Sequence, residues 1–388
     1  MKKILIVNNN MKVGGVQKSL YNLLWSLEGQ YDVTLCLFRA TGAYLRQLPK
    51  NVRVVECRGA MRYLSASHAE CTGLHKLLRG GYVILCRLLG RDRVVKFMLA
   101  GQKTLPGEYD CAVAFLHNGN ISTFYGGVPE FVLKRVKAKK KVAFLHCDYG
   151  SCGANHPRNN RLVEQFDRIV ACSDGCRRSF EAVMPHMKEK TVTVPNFHRY
   201  DEILALAGQE PVCYESGWIH GICVARLAHE KGIERAINAV AAAREAGHCM
   251  KLHLVGSGGM EAQLRELVAQ LDLQDRVVFH GEQTNPYRYM VNADLFLLTS
   301  YHEAAPMVID EAVSLALPVL TVKTTSSYEM VTGRQAGWVC DNDQNALNEA
   351  LLSLLEDKAA IETIKIGLRS QTADNTLAAQ QWHRLIEE

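Results

Sequence analysis

The chain has 388 residues, 48% of them apolar, enough for two domains with proper cores. No apolar run is long enough to span a bilayer, no secretory signal opens the chain, and the 13 cysteines form no C-x-x-C pairs; reduced, mostly buried thiols and a cytoplasmic location are expected. The net charge of +5 hides an asymmetry, since residues 1–198 carry 30 Lys and Arg against 14 Asp and Glu while residues 199–388 carry 15 against 26. A basic half joined to an acidic half points to one domain facing an anionic partner.

Residues 2–7 read as a first strand, followed by a polar loop with Gly14-Gly15 and a helix with Leu20, Leu23, Leu24 and Leu27 on one face. Strand, glycine loop and helix make an arrangement suited to phosphate, because glycines admit close backbone approach and a helix N-terminus favours an anion. With two glycines only, a plain tight turn is the other reading. Strands are expected at 32–38 and 52–56. Residues 58–103 mix apolar runs with nine Lys and Arg against two acids. They read as amphipathic helices with a basic face, either a patch for an anionic membrane surface or ordinary surface helices. A strand at 110–116 ends in His117-Asn118, and the basic run 134–141 reads as a helix end and loop. The strand 141–145 ends in His146-Cys147-Asp148, which puts His146 at the carboxyl edge of a sheet. Strands at 168–172 and 191–194 close this half, ending in Pro195-Asn196.

The alternation restarts with a strand at 218–225 and then Arg226-Leu227-Ala228-His229-Glu230-Lys231-Gly232, with a helix starting near Gly232. The strand 251–255 runs into Gly256-Ser257-Gly258-Gly259, which lacks the last spaced glycine of a dinucleotide fingerprint. A strand at 276–280 ends in Gly281, and Tyr328-Glu329 and 338–341 are expected to complete the sheet. The apolar run 294–300 reads as a buried parallel strand feeding Ser300–Pro318, helical from Pro306. Two acids stand eight apart there, Glu303 on the loop and Glu311 inside the helix. A carboxylate in an apolar helix is costly unless something polar meets it. Residues 376–386 form a final amphipathic helix.

This ordered set resembles the retaining, nucleotide-sugar-dependent glycosyltransferases of family 4, of the bacterial polysaccharide-assembly type, which have the GT-B fold. The resemblance covers nearly the whole chain and is strongest over 218–340. It implies an α/β fold of two Rossmann-like, doubly wound parallel-sheet domains facing across a cleft. Residues 1–198 would form the acceptor domain, turned to the membrane, 199–373 the donor domain, and 374–388 a helix crossing back to the first. By the same resemblance Arg226 and Lys231 clamp the donor diphosphate, Glu303 and His146 sit against the donor sugar, and Glu311 holds the ribose. Gly15, Gly256 and Gly258 border the phosphates, and Ala304, Ala305, Pro306 and Met307 line the donor site, although many members have Gly after the first acid. Phe197 stands where most members have Gly, which touches the hinge.

The implied reaction moves a sugar, with retained configuration, from a nucleotide-diphosphate sugar to a lipid-linked saccharide at an anionic membrane surface. A UDP-sugar is favoured and a GDP-sugar is possible. Fixed cations would meet the charge that develops on the leaving diphosphate. No metal or other cofactor is implied, and no nucleic acid. A soluble nucleotide-sugar 2-epimerase of the same fold, or a catalytically silent partner subunit, are the other readings; the basic apolar stretch 58–103 and the intact set Arg226, Lys231, Glu303 and Glu311 argue against them.

Overall fold

The computed structural model describes residues 1–388, and its backbone is organised by short runs of Val, Ile and Leu that pair as parallel strands. Seven of them are β1 (Lys3–Asn8), β2 (Asp32–Leu37), β3 (Arg53–Glu56), β4 (Tyr109–Ala114), β5 (Ala138–Leu145), β6 (Arg168–Ala171) and β7 (Thr191–Thr193). They lie in the order β3-β2-β1-β4-β5-β6-β7. Six more are β8 (Ile219–Val224), β9 (Met250–Val255), β10 (Val277–Gly281), β11 (Leu295–Leu298), β12 (Val319–Val322) and β13 (Gly337–Cys340). Their order is β10-β9-β8-β11-β12-β13. Both sheets are covered on two faces, which is why their strands are apolar on consecutive residues. Ile4 and Ile6 join one core cluster and Leu5 and Val7 the other; Leu295 and Leu297 part from Phe296 and Leu298 in the same way. The strand order turns back between β1 and β4 and again between β8 and β11. Such switch points open a crevice at the carboxyl ends of the strands.

The chain divides into one unit of Met1–Phe197 with Asn375–Glu388 and another of His198–Asp374. The last helix, Thr376–Glu387, therefore belongs to the first unit. Trp382, Leu385 and Ile386 pack beside Ile4 and Ile6. Lys2 Nζ donates to Ile386 O at 3.0 Å and Lys140 Nζ to Leu385 O at 2.6 Å. Cations thus meet the orphan carbonyls and the negative dipole end of this helix.

Four expectations need correction. Tyr328 and Glu329 lie in a helical turn, Ser327–Met330, and not in the sheet. The strand in question is β12, which follows Pro318 and is buried at all four positions. A four-residue apolar run next to an apolar helix shows neither period, so alternation cannot reveal it. Lys139 and Lys140 are not loop residues but, with Ala138, extend the expected strand from Lys141 backwards as the first half of β5. The stems of the three lysines lie along the strand while the ammonium groups reach Asp110 (2.7 Å), Leu385 O (2.6 Å) and Leu133 O (2.9 Å). Arg91 is not on a basic face: its side chain is 0% exposed and sits 4.0 Å from Glu130. It also donates to Gly119 O at 3.0 Å and to Asn159. A buried guanidinium needs such acceptors and a nearby carboxylate, although its Nε has no hydrogen-bond partner. Finally, Phe197 and Asn375 bound the first unit, one residue away from the expected limits at each seam.

The second sheet carries a chain of three histidines across β8, β9 and β10. His220 Nε2 donates to Glu215 O at 2.8 Å, so its Nδ1 accepts from His253 Nε2 at 3.0 Å, and His253 Nδ1 accepts from His280 Nε2 at 3.0 Å. Burial, then the neighbouring His280, His220 and Lys251, push His253 down to about 3. The unfolded chain takes up a proton near pH 6.5, before the folded chain does, so stability is intact above that pH and falls as pH drops toward 3. The expected slope is about 1.4 kcal/mol per pH unit for this one group. Urea unfolding at pH 7.5 and 5.5 measures it. A His253→Gln variant should show a shallower acid loss, and an equal loss in both proteins would count against this account.

Candidate active site

At the switch point of the second unit, two loops leave the adjacent strands β8 and β11 and are tied together. Tyr301 N donates to Glu230 O at 3.0 Å, Thr299 Oγ1 to Gly232 O at 2.8 Å, and Tyr301 Oη to Glu234 Oε1 at 2.9 Å. The His229 ring stacks on Tyr301 with centroids 5.2 Å apart. Gly232 has φ +56°, and a Cβ there would lie 2.3 Å from Thr299 O. Glycine is what lets these loops touch and the helix Ile233–Glu245 begin.

The loops bring Lys231 and Glu303 into contact. Lys231 Nζ lies 2.6 Å from Glu303 Oε1, which also accepts from Ser300 Oγ at 2.8 Å. Lys231 and Glu303 are partly shielded, with side chains 26% and 11% exposed. Arg226 is not gathered into this pair. Its guanidinium is 70% exposed and pairs with Glu230 on its own loop. Gly256 and Gly258 are brought against the same segment: a Cβ on Gly256 would lie 1.9 Å from Ala225 O, and one on Gly258 2.2 Å from Leu227 O. Leu227 N donates to Ser257 O at 2.9 Å and Met260 N to Leu227 O at 3.0 Å. The glycine loop after β9 is thus laid directly on the loop that carries Arg226 and Lys231.

Ala304, Ala305 and Pro306 connect Glu303 to the helix Met307–Ser314, with Pro306 extended at the N-cap and Met307 first inside. Glu311 is buried in that helix at 4% exposure. Reading the acid spacing missed its neighbour Asp310. Burial alone would raise the Asp310 carboxyl, but His198 at 3.3 Å and Arg334 outweigh it and hold the group below the usual carboxylate range. An acid beside another acid in an apolar helix was the available signal.

In the first unit, the switch point lies at β1 and β4. Asn8 ends β1, Asn9 and Asn10 follow it, and all three are buried. Gly15 opens the helix Gly15–Ser26, and a Cβ on it would meet nothing within 4 Å. His146 follows β5, its ring centroid 4.6 Å from that of Phe115. Burial, and then His117, push it down to about 3. Burial and Arg91 lower His117 to about 4. At neutral pH both rings are uncharged, able to donate and accept hydrogen bonds but not to act as cations.

Residues 221–371 match the family model described as Glycosyl transferases group 1. Over 159 residues the chain is 31% identical to the amylovoran biosynthesis glycosyltransferase AmsK of Erwinia amylovora, covering 39% of each. Over 139 residues it is 33% identical to the putative colanic acid biosynthesis glycosyltransferase WcaL of Escherichia coli (strain K12), covering 34% of each. Over 235 residues it is 26% identical to the lipopolysaccharide core biosynthesis mannosyltransferase LpsB of Rhizobium meliloti (strain 1021), covering 57% of this chain and 64% of the relative. The match thus spans less than two-thirds of each of these relatives. The crystal structure of Anabaena Alr3699/HepE in complex with UDP and glucose superposes with a TM-score of 0.68 at 19% identity, covering 99% of both chains. WaaG, a glycosyltransferase involved in lipopolysaccharide biosynthesis, gives 0.60 at 17% identity, also over 99% of both. These superpositions establish the fold over the full length. The chain has the GT-B fold of two Rossmann-like domains, and its second domain belongs to the group 1 glycosyltransferases.

Proposed function

We propose that the protein transfers a sugar, with retention and without a metal, from a nucleotide-diphosphate sugar to a lipid-linked saccharide of a cell-envelope polysaccharide. A UDP-sugar is the favoured donor. The observation that carries the reading is the Lys231–Glu303 pair, held at 2.6 Å on the switch-point edge of the matched domain. A cation fixed there suits the charge that grows on a leaving diphosphate. Glu303 would turn toward a sugar hydroxyl once the diphosphate takes the ammonium. Arg226 would swing in from solvent on binding. The named relatives act in polysaccharide or lipopolysaccharide synthesis, and HepE binds UDP. A thermal-shift screen of UDP-, GDP-, ADP- and dTDP-sugars tests the donor. UDP-sugars should give the largest upward shift, and a shift with none of the four would remove the donor assignment.

The acceptor reading is supported by the helix Gly73–Leu89. Leu74, Leu77, Leu78, Ile84, Leu85, Leu88 and Leu89 are exposed, with Leu77 at 74% and Leu88 at 75%. At 100° per residue they form a single stripe, flanked by the exposed Lys76 and Arg87. No helix of the protein is long and apolar enough to cross a membrane. Such a stripe lies in the interface plane, where cations meet anionic headgroups and the leucines enter the acyl boundary. The protein should co-sediment with anionic liposomes at low salt and less at high salt. Leu77→Ser with Leu88→Ser should abolish binding, since each buried leucine contributes about 1.5–3 kcal/mol. Lys76, Arg87, Arg93 and Lys96 changed together to Gln should weaken it. Arg91, being buried, is left intact. No binding at low salt would favour a soluble acceptor.

A further inference from the structure

The loops that leave β1 and β2 hold two cations on one carboxylate, outside the site described above. Lys12 Nζ donates to Glu70 Oε1 at 2.5 Å, and Arg39 Nη1 lies 3.6 Å from Glu70 Oε2. The second contact is too long for a hydrogen bond, and Arg39 Nη1 is buried with no hydrogen-bond partner. Both cations stand on fixed backbone. Lys12 N donates to Asn10 Oδ1 at 3.1 Å and Arg39 N to Asn9 O at 3.0 Å. Met11 N donates to Thr41 O at 2.8 Å, which ties the two loops together. Gly42, with φ +126°, permits this approach, since a Cβ there would lie 2.0 Å from Met11 O. Gln17 Nε2, in the first turn of the helix Gly15–Ser26, donates to Asn9 Oδ1 at 3.4 Å. The helix start therefore rests on the same asparagines, and it has no side-chain cap and no acid in its first turn.

Glu70 comes to these cations from a different segment, the turn between Ala66 and the helix Gly73–Leu89. Arg79 Nε of that helix donates to Ala66 O at 2.7 Å, and Ser67 N donates to Glu70 Oε2 at 2.7 Å. The hydrogen bond from Lys12, and then the one from Ser67, hold the Glu70 carboxyl down at about 2. It is therefore ionised at neutral pH, and its single charge answers two. The three side chains are 29–36% exposed. An ion pair so open to water stabilises little, so an anion of higher charge can take the place of the carboxylate.

We propose that Lys12 and Arg39 bind the diphosphate of a lipid-linked acceptor, and that Glu70 holds their place until it arrives. The acceptor role rests on the transferase reading above; what is added is the group that the acceptor carries and the residues that meet it. Lys12 follows β1 and Arg39 follows β2, so both stand at the carboxyl ends of parallel strands, where α/β sheets bind ligands. The ammonium supplies a point charge, and the guanidinium has a donor to spare for a phosphate oxygen. The start of the helix Gly15–Ser26 adds a dipole end that favours an anion. The lipid has a place as well. Glu70 stands four residues before Leu74, the first of the exposed leucines of the helix Gly73–Leu89. A chain lying along that stripe has its head group at the end of the helix from which Glu70 extends. Once displaced, Glu70 turns to solvent at no burial cost.

The test is calorimetric titration of the full-length protein with geranyl diphosphate, a soluble lipid diphosphate, in the absence of vesicles and nucleotide. Lys12→Gln and Arg39→Gln should each weaken binding by about 10–100-fold, the scale for a hydrogen bond to a charged group. Glu70→Gln should tighten it by about 2–5-fold, because the competing charge is gone. Inorganic pyrophosphate should depend on the same two cations but bind more weakly, and the affinity for UDP should be the same in all three variants. Unchanged affinity for geranyl diphosphate in Lys12→Gln and Arg39→Gln would overturn the site. Glu70→Gln that weakens binding or leaves it unchanged would make the carboxylate a structural bridge and overturn the displacement. Loss of UDP affinity in the lysine and arginine variants would assign the cations to the donor and overturn the acceptor role. Pyrophosphate bound as tightly as geranyl diphosphate would remove the lipid from the proposal. The titration needs no turnover, so geranyl diphosphate bound as expected by a protein that answers to no nucleotide sugar would support the site while removing the donor assignment.

Discussion

Replacing Lys231 with alanine is expected to cut kcat/KM for sugar transfer by about 10²–10³-fold, the scale for losing one preorganised charge stabiliser. The reason lies in its placement. Nζ is 2.6 Å from Glu303 Oε1 and the side chain is 26% exposed. The ammonium is held by a short loop that Gly232 lets press against Thr299. On the proposed reading the ammonium is already positioned when a diphosphate arrives, and only Glu303 and Arg226 would have to turn. On the same reading Glu303→Gln should lower kcat more than it raises KM, because a contact with the donor sugar would strengthen in the transition state. Glu311→Gln, deep in its helix, should weaken binding of free nucleotide diphosphate. Arg226→Ala is expected to act in the same direction as Lys231→Ala through its contact with bound diphosphate. Thermal unfolding of each variant separates these effects from loss of fold. Near-normal turnover by Lys231→Ala with an identified donor would remove the assignment.

Gly256→Ala is expected to destabilise the second unit by about 3 kcal/mol or more. Gly256 has φ +140°, where L side chains are strained, and its Cβ would lie 1.9 Å from Ala225 O. Strain of roughly 1–3 kcal/mol adds to a similar cost for displacing packed neighbours. The neighbour here is backbone, so no rotamer change can relieve the clash. Gly258→Ala should be comparable, with 2.2 Å to Leu227 O, whereas Gly259→Ala meets nothing within 4 Å and should be close to neutral. Urea unfolding of the three variants decides the matter. Equal midpoints for Gly256→Ala and Gly259→Ala would mean that the close approach of the two loops is not a requirement of the fold. These glycines therefore have a structural duty that any contact with a donor phosphate would come on top of.

The architecture was legible because its signal is local and repeated. Buried parallel strands need consecutive apolar residues, and the strand–helix alternation recurs from Lys3 to Cys340. The position of Glu303 between a strand and a helix was readable for the same reason, as was the burial of Glu311 in an apolar helix. β12 was not, because four apolar residues abutting a helix carry no period of their own. The lysines of β5 were misread since a strand whose polar heads reach past its edge looks like a loop.

What the sequence alone determined is the set of parts: two runs of strand–helix units, two histidines at strand ends, a basic apolar stretch, and Arg226, Lys231, Glu303 and Glu311 in order. Only the tertiary structure decided which of them meet. Lys231 pairs with Glu303 across 72 residues, while Arg226, in the same motif, turns to Glu230 and solvent. Arg91, one cation among nine in its stretch, proves to be a buried strut and not part of a surface. Spacing along the chain fixes which face of an element a residue occupies, but not what packs on that face. For charged side chains that neighbour sets everything, since the same guanidinium is a solvated surface group in water and a ligand of carbonyls and carboxylates in a core.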